Sequence, residues 1–420
     1  MKNMIGSIGL VILFFTTACG QQLSHQTPAV EHGPNVSGAP EGDSSHSKAN
    51  TKISPAANET QLYIDYLKGR NIGMVVNPTS IIGEKKITLV DSLLKRGVKI
   101  KKIYGPEHGF RGNASDGATV NNDIDVKTGI PVVSLYGSKF KPSVADLKGI
   151  DLMIFDIQDV GARFYTYIST LHYVMEACAE NNIELMVLDR PNPNGFYVDG
   201  PVLDTAFRSF VGMHPIPVVH GMTIAEYAQM INGEGWLKNG AKCKLKIIKV
   251  ANYTHDMEYV LPVNPSPNLN SAQSILLYPG LCFFEATTLS LGRGTQFPFQ
   301  VVGHPALKGK YEFSFTPVSI PGMSDNPPQK NVVCYGIDFR NYNTAAIRKN
   351  KQLNLSWLLT FYQNFPNKTQ FFNAYFTKLA GTDQLRKQIE SGMKEEEIRK
   401  SWEPALSKFK LTRQKYLLYK

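Results

Sequence analysis

The chain has 420 residues, 42% of them hydrophobic and 19% charged, which is enough for a sizeable core and long enough to suggest two domains. Its formal net charge of +10 suits an anionic partner such as a lipid surface or an acidic glycan. The basic residues are scattered and form no block interleaved with aromatics, so nucleic acid is left out of the expected partners.

The first residues decide the compartment. Lys2 gives a short positive start, and residues 5–15 form an apolar stretch too short to span a bilayer comfortably. Thr16-Thr-Ala-Cys19 follows, with small residues directly before the cysteine, as in a lipoprotein signal whose cysteine becomes the lipidated first residue. Thr16 stands where Leu is commoner. Residues 1–18 are read as the signal peptide and Cys19 as the lipidation site, which implies a membrane-anchored lipoprotein of the periplasm or cell surface. Residues 19–60 are rich in Gln, Ser, His, Pro, Asn and Gly, with too little apolar surface to order themselves, and read as a flexible tether. His25, His32 and His46 within it fit a solvated linker better than a metal tract. Cys178, Cys243, Cys282 and Cys334 are widely spaced, with no Cys-x-x-Cys and no Cys/His cluster, so no metal site is expected and any disulfide pairing stays open.

An α/β rhythm occupies residues 61–250. Apolar runs at 72–77, 99–104, 131–136, 151–156 and 183–189 read as strands, and helical spacing appears at 88–95, 144–147, 165–181 and 224–231. Thr223 sits where the last of these helices needs an N-cap. Residues 242–250 alternate and read as an outer strand with one wet face. The expected architecture is α/β: a Rossmann-like, mostly parallel sheet with helices on both faces. Neither GxGxxG after the first strand nor GxxxxGK[ST] is present, so no dinucleotide, ATP or other cofactor is expected.

Polar residues gather at the strand ends. Asn77, Glu107, Tyr136, Asp156 and Asp189 each stand at or just past the C-terminal end of a predicted strand, and such ends share one edge of a parallel sheet. The loop Tyr104-Gly-Pro-Glu-His-Gly-Phe-Arg-Gly112 brings Glu107, His108 and Arg111 together, and its glycines and proline imply a rigid, irregular backbone. The loop after residue 156 adds Asp159, Arg163 and Tyr165. Arg190 lies in a turn stiffened by Pro191 and Pro193, and His220 precedes the helix capped by Thr223.

From about residue 251 to 420 the chain reads as a smaller α+β domain. Pro, Asn and aromatic residues dominate at first, including Leu261-Pro-Val-Asn-Pro-Ser-Pro-Asn268 and Tyr278-Pro-Gly280. A second charged loop carries Glu285 and Arg293, with an internal salt bridge as its plainer reading. Strands and turns are expected over 311–340, and helices over 356–362, 382–391 and 395–402. A cleft between the two domains is the natural binding place.

Five runs in order, Gly105–Gly112, Asp156–Tyr167, Leu188–Gly195, Val219–Thr223 and Glu285–Thr295, resemble the bacterial exo-β-N-acetylmuramidases. This group, glycoside hydrolase family 171, was formerly a domain of unknown function. The resemblance covers about residues 70 to 420. It implies a Rossmann-like domain with a C-terminal domain and a site in the cleft between them. It implies release of terminal N-acetylmuramic acid from the non-reducing end of peptidoglycan fragments.

Cleaving a glycosidic bond needs a proton for the leaving oxygen and support for an oxocarbenium-like carbon. Glu107 is the expected acid: an apolar wall would help it keep its proton, and direct pairing with Arg111 would oppose that. Glu285, Asp156 and Asp159 are open as the second carboxylate, unless the sugar's own acetamido group attacks. A lactyl carboxylate suits a planar guanidinium fork, from Arg163, Arg190 or Arg293. His108 or Arg111 would orient the acid or bind sugar, Tyr136 and Tyr165 would stack on it, and Asn77 and His220 complete the expected binding set. The competing reading is a non-catalytic lipoprotein that binds cell-wall glycan fragments in the same cleft. An esterase is disfavoured, since neither GxSxG nor a Cys/His pair is present.

Overall fold

The computed structural model describes residues 52–111 and 123–419. The signal-like start, Cys19 and the tether as far as residue 51 lie outside the described residues, as does Gly112.

Seven strands make the main sheet: β1 (Asn71–Val76), β2 (Lys99–Gly105), β3 (Asp123–Ile124), β4 (Pro131–Ser134), β5 (Leu152–Asp156), β6 (Glu184–Leu188) and β7 (Leu245–Ile248). Their order is β3-β4-β2-β1-β5-β6-β7. β3 runs antiparallel to β4, and every other neighbouring pair is parallel. Without the short β3, the succession is the 3-2-1-4-5-6 of doubly wound folds, with the switch point between β1 and β5. β7 lies at the edge, as its alternating pattern predicted.

Period-two alternation fills both faces of the sheet. Ile72, Met74, Val76, Leu152 and Ile154 point to one side, where they meet Leu89, Val90 and Leu93 of α1 (Leu89–Lys95). Val75, Met153, Phe155, Leu185 and Val187 point to the other, under α2 (Tyr167–Glu180) and α3 (Ile224–Gly233). Thr223 opens α3 in a capping box: Glu226 Oε2 accepts from the Thr223 amide at 2.9 Å and Thr223 Oγ1 from the Glu226 amide at 3.4 Å.

The second apolar cluster continues into the C-terminal half through Leu277, Phe283, Phe284, Phe299, Phe361 and Phe376. That half opens with α4 (Ala272–Leu281), then an antiparallel sheet of β8 (Val301–His304), β9 (Phe313–Phe315) and β10 (Cys334–Asp338) in the order β8-β10-β9. α5 (Ser356–Asn364), α6 (Phe376–Ala380), α7 (Gln384–Glu390) and α8 (Glu395–Gln414) follow.

α4 is a helix although it contains Tyr278-Pro-Gly280. Pro279 has no N–H for the carbonyl of Ile275, one turn earlier. Asn194 supplies the missing donor from another part of the chain: its Nδ2 donates to Ile275 O at 3.1 Å. A side chain distant in sequence thus restores the bond that the proline removes.

Residues 52–60, read from composition as the end of the tether, are packed. Ala56 and Ala57 are fully buried, the Ala56 amide donates to Asp189 O at 3.0 Å, and Ser54 bridges Ala251. Small side chains fit where larger ones would not, so a segment poor in bulk still docks. The other end arrives at the same place: Tyr419 Oη donates to Asp189 Oδ2 at 2.6 Å, and the Leu418 amide to Glu226 Oε1 at 2.8 Å. No helix among the described residues is long and apolar enough to cross a membrane.

Candidate active site

The loop leaving β2 turns at once, with the Gly109 amide donating to Pro106 O at 2.9 Å. His108 and Gly109 both take left-handed backbone, at φ 69° and 73°. Glycine does so without strain, but a buried histidine does so only when its surroundings impose it. The turn sets half-buried Glu107 beside the first residues of α2, where Thr166 Oγ1 donates to Glu107 Oε2 at 3.4 Å.

Glu107 and His108 line a cavity of about 400 Å³, enough for a sugar residue. Tyr165 and Tyr167 also line it, and both donate to Pro265 O, at 2.8 and 3.3 Å. Burial pushes both phenols well above their ordinary range, which keeps them protonated donors. Tyr136, Phe140 and Phe210 contribute an aromatic wall, with Phe140 and Phe210 centroids 4.2 Å apart.

The C-terminal half contributes Glu285, in the turn that follows α4, and Arg293. Arg293 Nε donates to Glu285 Oε1 at 2.9 Å and its Nη2 bonds the same oxygen, while Cys282 Sγ donates to Oε2 at 3.5 Å. The guanidinium lies 5.1 Å from the centroid of Phe299, itself at φ 56°. The cavity therefore has a bulky left-handed residue from each half of the chain, His108 and Phe299.

Of the expected site residues, Glu107, His108, Tyr136, Tyr165, Glu285 and Arg293 come together here. The others lie outside the lining. Asp156 and Arg190 form a buried two-pronged pair, Nε to Oδ1 at 2.6 Å and Nη2 to Oδ2 at 2.9 Å. Arg163 is fully buried in a cage of carbonyls: Nη1 donates to Pro201 and Ile216 at 2.7 and 2.8 Å, Nη2 to Leu379 and Ala380 at 2.8 and 2.7 Å. Burial pulls this guanidinium down to about 9. Arg111 is turned to Asp125, with bonds of 2.5 and 2.7 Å, and borders a separate surface hollow with Lys95 and Lys127. Asn77 folds onto its own turn, its Oδ1 accepting from the Thr79 amide at 2.9 Å.

Asp159 and His220 face each other in the interior, Oδ2 to Nε2 at 3.8 Å. Asp159 Oδ2 also accepts from the Gly161 amide at 2.7 Å, and His220 Nδ1 from the Met222 amide at 3.2 Å. Burial pushes the Asp159 carboxyl up to about 7 and the His220 imidazole down to about 3. Thr166, Asn268, Tyr278 and Tyr375 line the cavity without having been marked by sequence. Thr166 had a signal, its place in the first turn of a long expected helix, and Asn268 another, a Pro-Ser-Pro run that stiffens the turn it ends.

Family models decide the relationship. The model described as exo-beta-N-acetylmuramidase NamZ, N-terminal, matches residues 72–273, and its C-terminal counterpart matches residues 276–419. The chain belongs to the exo-β-N-acetylmuramidase family. Membership makes it a glycosidase. A curated relative, the peptidoglycan beta-N-acetylmuramidase NamZ of Bacillus subtilis (strain 168), is 39% identical over 373 residues, 85% of this chain and 89% of that protein. Two crystal structures of DUF1343 family proteins from Bacteroides fragilis share the fold. One has 45% identity and a TM-score of 0.81, the other 29% and 0.75; each comparison covers 88% of this chain and 99% of the other.

Proposed function

We propose that this family member is an exo-acting hydrolase that releases terminal N-acetylmuramic acid from the non-reducing end of peptidoglycan fragments, with Glu107 as general acid. The observation that carries the reading is one sugar-sized cavity that holds Glu107 together with the Glu285–Arg293 pair. Glu107 protonates the glycosidic oxygen, steadied by the Thr166 hydroxyl on Oε2. Positive charge grows on the anomeric carbon as the bond breaks, and Glu285, held by Arg293, is the carboxylate that supports it. Asp156 is sealed by Arg190 and does not compete for that role. The planar Arg293 fork is also the cation placed to meet the lactyl carboxylate of the sugar. We also propose that lipid at Cys19 holds the enzyme on a membrane outside the cytoplasm, which rests on the first 19 residues of the sequence.

The test uses an aryl β-N-acetylmuramide and its N-acetylglucosaminide counterpart. The wild-type chain is expected to cleave the first, and Glu107→Gln to lower turnover on the order of 10²- to 10⁴-fold. Release from the glucosaminide alone overturns the substrate, and full turnover by the variant overturns the acid. Binding without turnover makes the protein a glycan-binding lipoprotein instead.

A further inference from the structure

The aromatic wall of the cavity does not stop at the cavity. Beyond Phe140 and Phe210 it continues to Tyr173 of α2, whose ring centroid lies 6.4 Å from each of theirs and whose plane is within 21° and 19° of parallel to them. All three residues are half-buried, so the cluster leaves apolar surface facing water. Thr166, which touches Glu107, stands seven residues before Tyr173, so the two share one face of the helix about 10 Å apart. The wall therefore leads away from the carboxyl along α2, farther than a single sugar ring spans.

The wall is fixed in place before any ligand arrives. Lys141 ties the loop that carries Phe140 to α2, through Glu176 and Glu180, both at 2.7 Å, and Lys139 pairs with Asp146 at 2.8 Å. Ser169 Oγ of α2 donates to Phe210 O at 2.6 Å, and His214 Nε2 meets His172 Nδ1, also on α2, at 3.0 Å. Rings held this firmly and still partly wet are preorganised for an occupant.

Position and charge select that occupant. An exo-acting enzyme encloses the terminal sugar, and the oxygen that Glu107 protonates belongs to the next one, so the next ring starts one bond from the acid. Glu285, Arg293 and Phe299 reach the cavity from the C-terminal half, whereas the wall is built from the first half alone. Lys139 and Lys141, which flank Phe140, are already paired with carboxylates of the protein and offer nothing further to a charged stem peptide. A pyranose is uncharged and presents C–H bonds on its faces, which pack on the electron-rich faces of aromatic rings. We infer that Phe140, Phe210 and Tyr173 form the subsite for the sugar on the far side of the scissile bond, the leaving N-acetylglucosamine of a peptidoglycan end. This rests on the muramidase reading and adds to it the residues that hold the leaving group.

The test compares two leaving groups on one terminal sugar. One substrate is the β-1,4-linked disaccharide of N-acetylmuramic acid and N-acetylglucosamine. The other is trifluoroethyl β-N-acetylmuramide, whose alcohol has an acidity close to that of a sugar hydroxyl but carries no ring. The wild-type enzyme is expected to prefer the disaccharide on the order of 10- to 100-fold in kcat/KM. Phe140→Ala and Tyr173→Ala should each lose about 5- to 30-fold on the disaccharide and clearly less on the trifluoroethyl glycoside, while Phe140→Tyr, which keeps the ring, should retain the preference. Equal wild-type kcat/KM on the two substrates, or folded alanine variants that lose equally on both, overturn the inference and leave the muramidase reading standing. Losses that appear only when the muramic acid carries a peptide assign the wall to that peptide and overturn it as well. A wild-type chain that cleaves neither substrate overturns the muramidase reading and the inference with it.

Discussion

Two of the carboxylate–arginine pairs among the described residues do opposite things. Asp156–Arg190 is sealed, with side-chain exposures of 0% and 2%; Glu285–Arg293 keeps 24% and 16% open to the cavity. Arg190 Nη2 also donates to Ile81 O at 3.2 Å, and the Gln158 backbone amide reaches across to Thr79 Oγ1 at 3.0 Å. These bonds stitch shut the crevice between β1 and β5, where doubly wound folds commonly hold a ligand. The site has moved one strand outward, to the loop after β2, and is completed from the C-terminal half. An ion pair at a strand end is thus not evidence of function until one knows whether anything can reach it.

The comparison can be broken by removing each arginine in turn. Arg190→Ala strands a buried carboxylate, and an expected loss of about 3–5 kcal/mol in urea unfolding follows. A loss under about 1 kcal/mol would show that the pair is not sealed. Arg293→Ala should barely move stability, within about 1 kcal/mol for a pair that solvent screens. Its effect belongs to catalysis: kcat/KM for a muramide should fall on the order of 10- to 100-fold, for loss of a charge-assisted contact. The same variant should lose less on an analogue without the lactyl group, and equal losses on both would remove Arg293 from carboxylate recognition.

A third comparison sharpens the picture of the interior. With its carboxyl raised to about 7 by burial, Asp159 stays protonated in the folded protein while the unfolded chain releases the proton near pH 4. The stability it contributes is whole below about pH 4 and is lost as pH rises to 7. Its neighbour His220, lowered to about 3, works the other way: its contribution is present above about 6.5 and is lost as pH falls. Asp159→Asn should therefore raise Tm at pH 8, leave it unchanged at pH 4, and flatten the decline between them. Parallel Tm profiles for variant and wild type would mean that Asp159 does not carry this titration.

The sheet was legible because apolar strands and amphipathic helices leave periodic traces that need no partner to be read. β1, β2 and β5 fall within a residue or so of their expected places, and Thr223 caps α3 as its position suggested. The candidate site was legible only in part. Glu107 and Glu285 announce themselves as charges in irregular loops. Nothing local separates Arg293, at the cavity, from Arg163, swallowed by carbonyls of residues 201, 216, 379 and 380. That difference is set by what folds over each side chain, and the covering segments lie up to 217 positions away.

The helix with a proline in its last turn has a mechanical consequence. The two regions matched by the family models meet at residues 274–275, inside α4. Asn194 grips the helix at that junction from the first region. A flexible hinge there would have to unwind a buried helix and break that grip together. Opening the two regions at this point would therefore carry the cost of both.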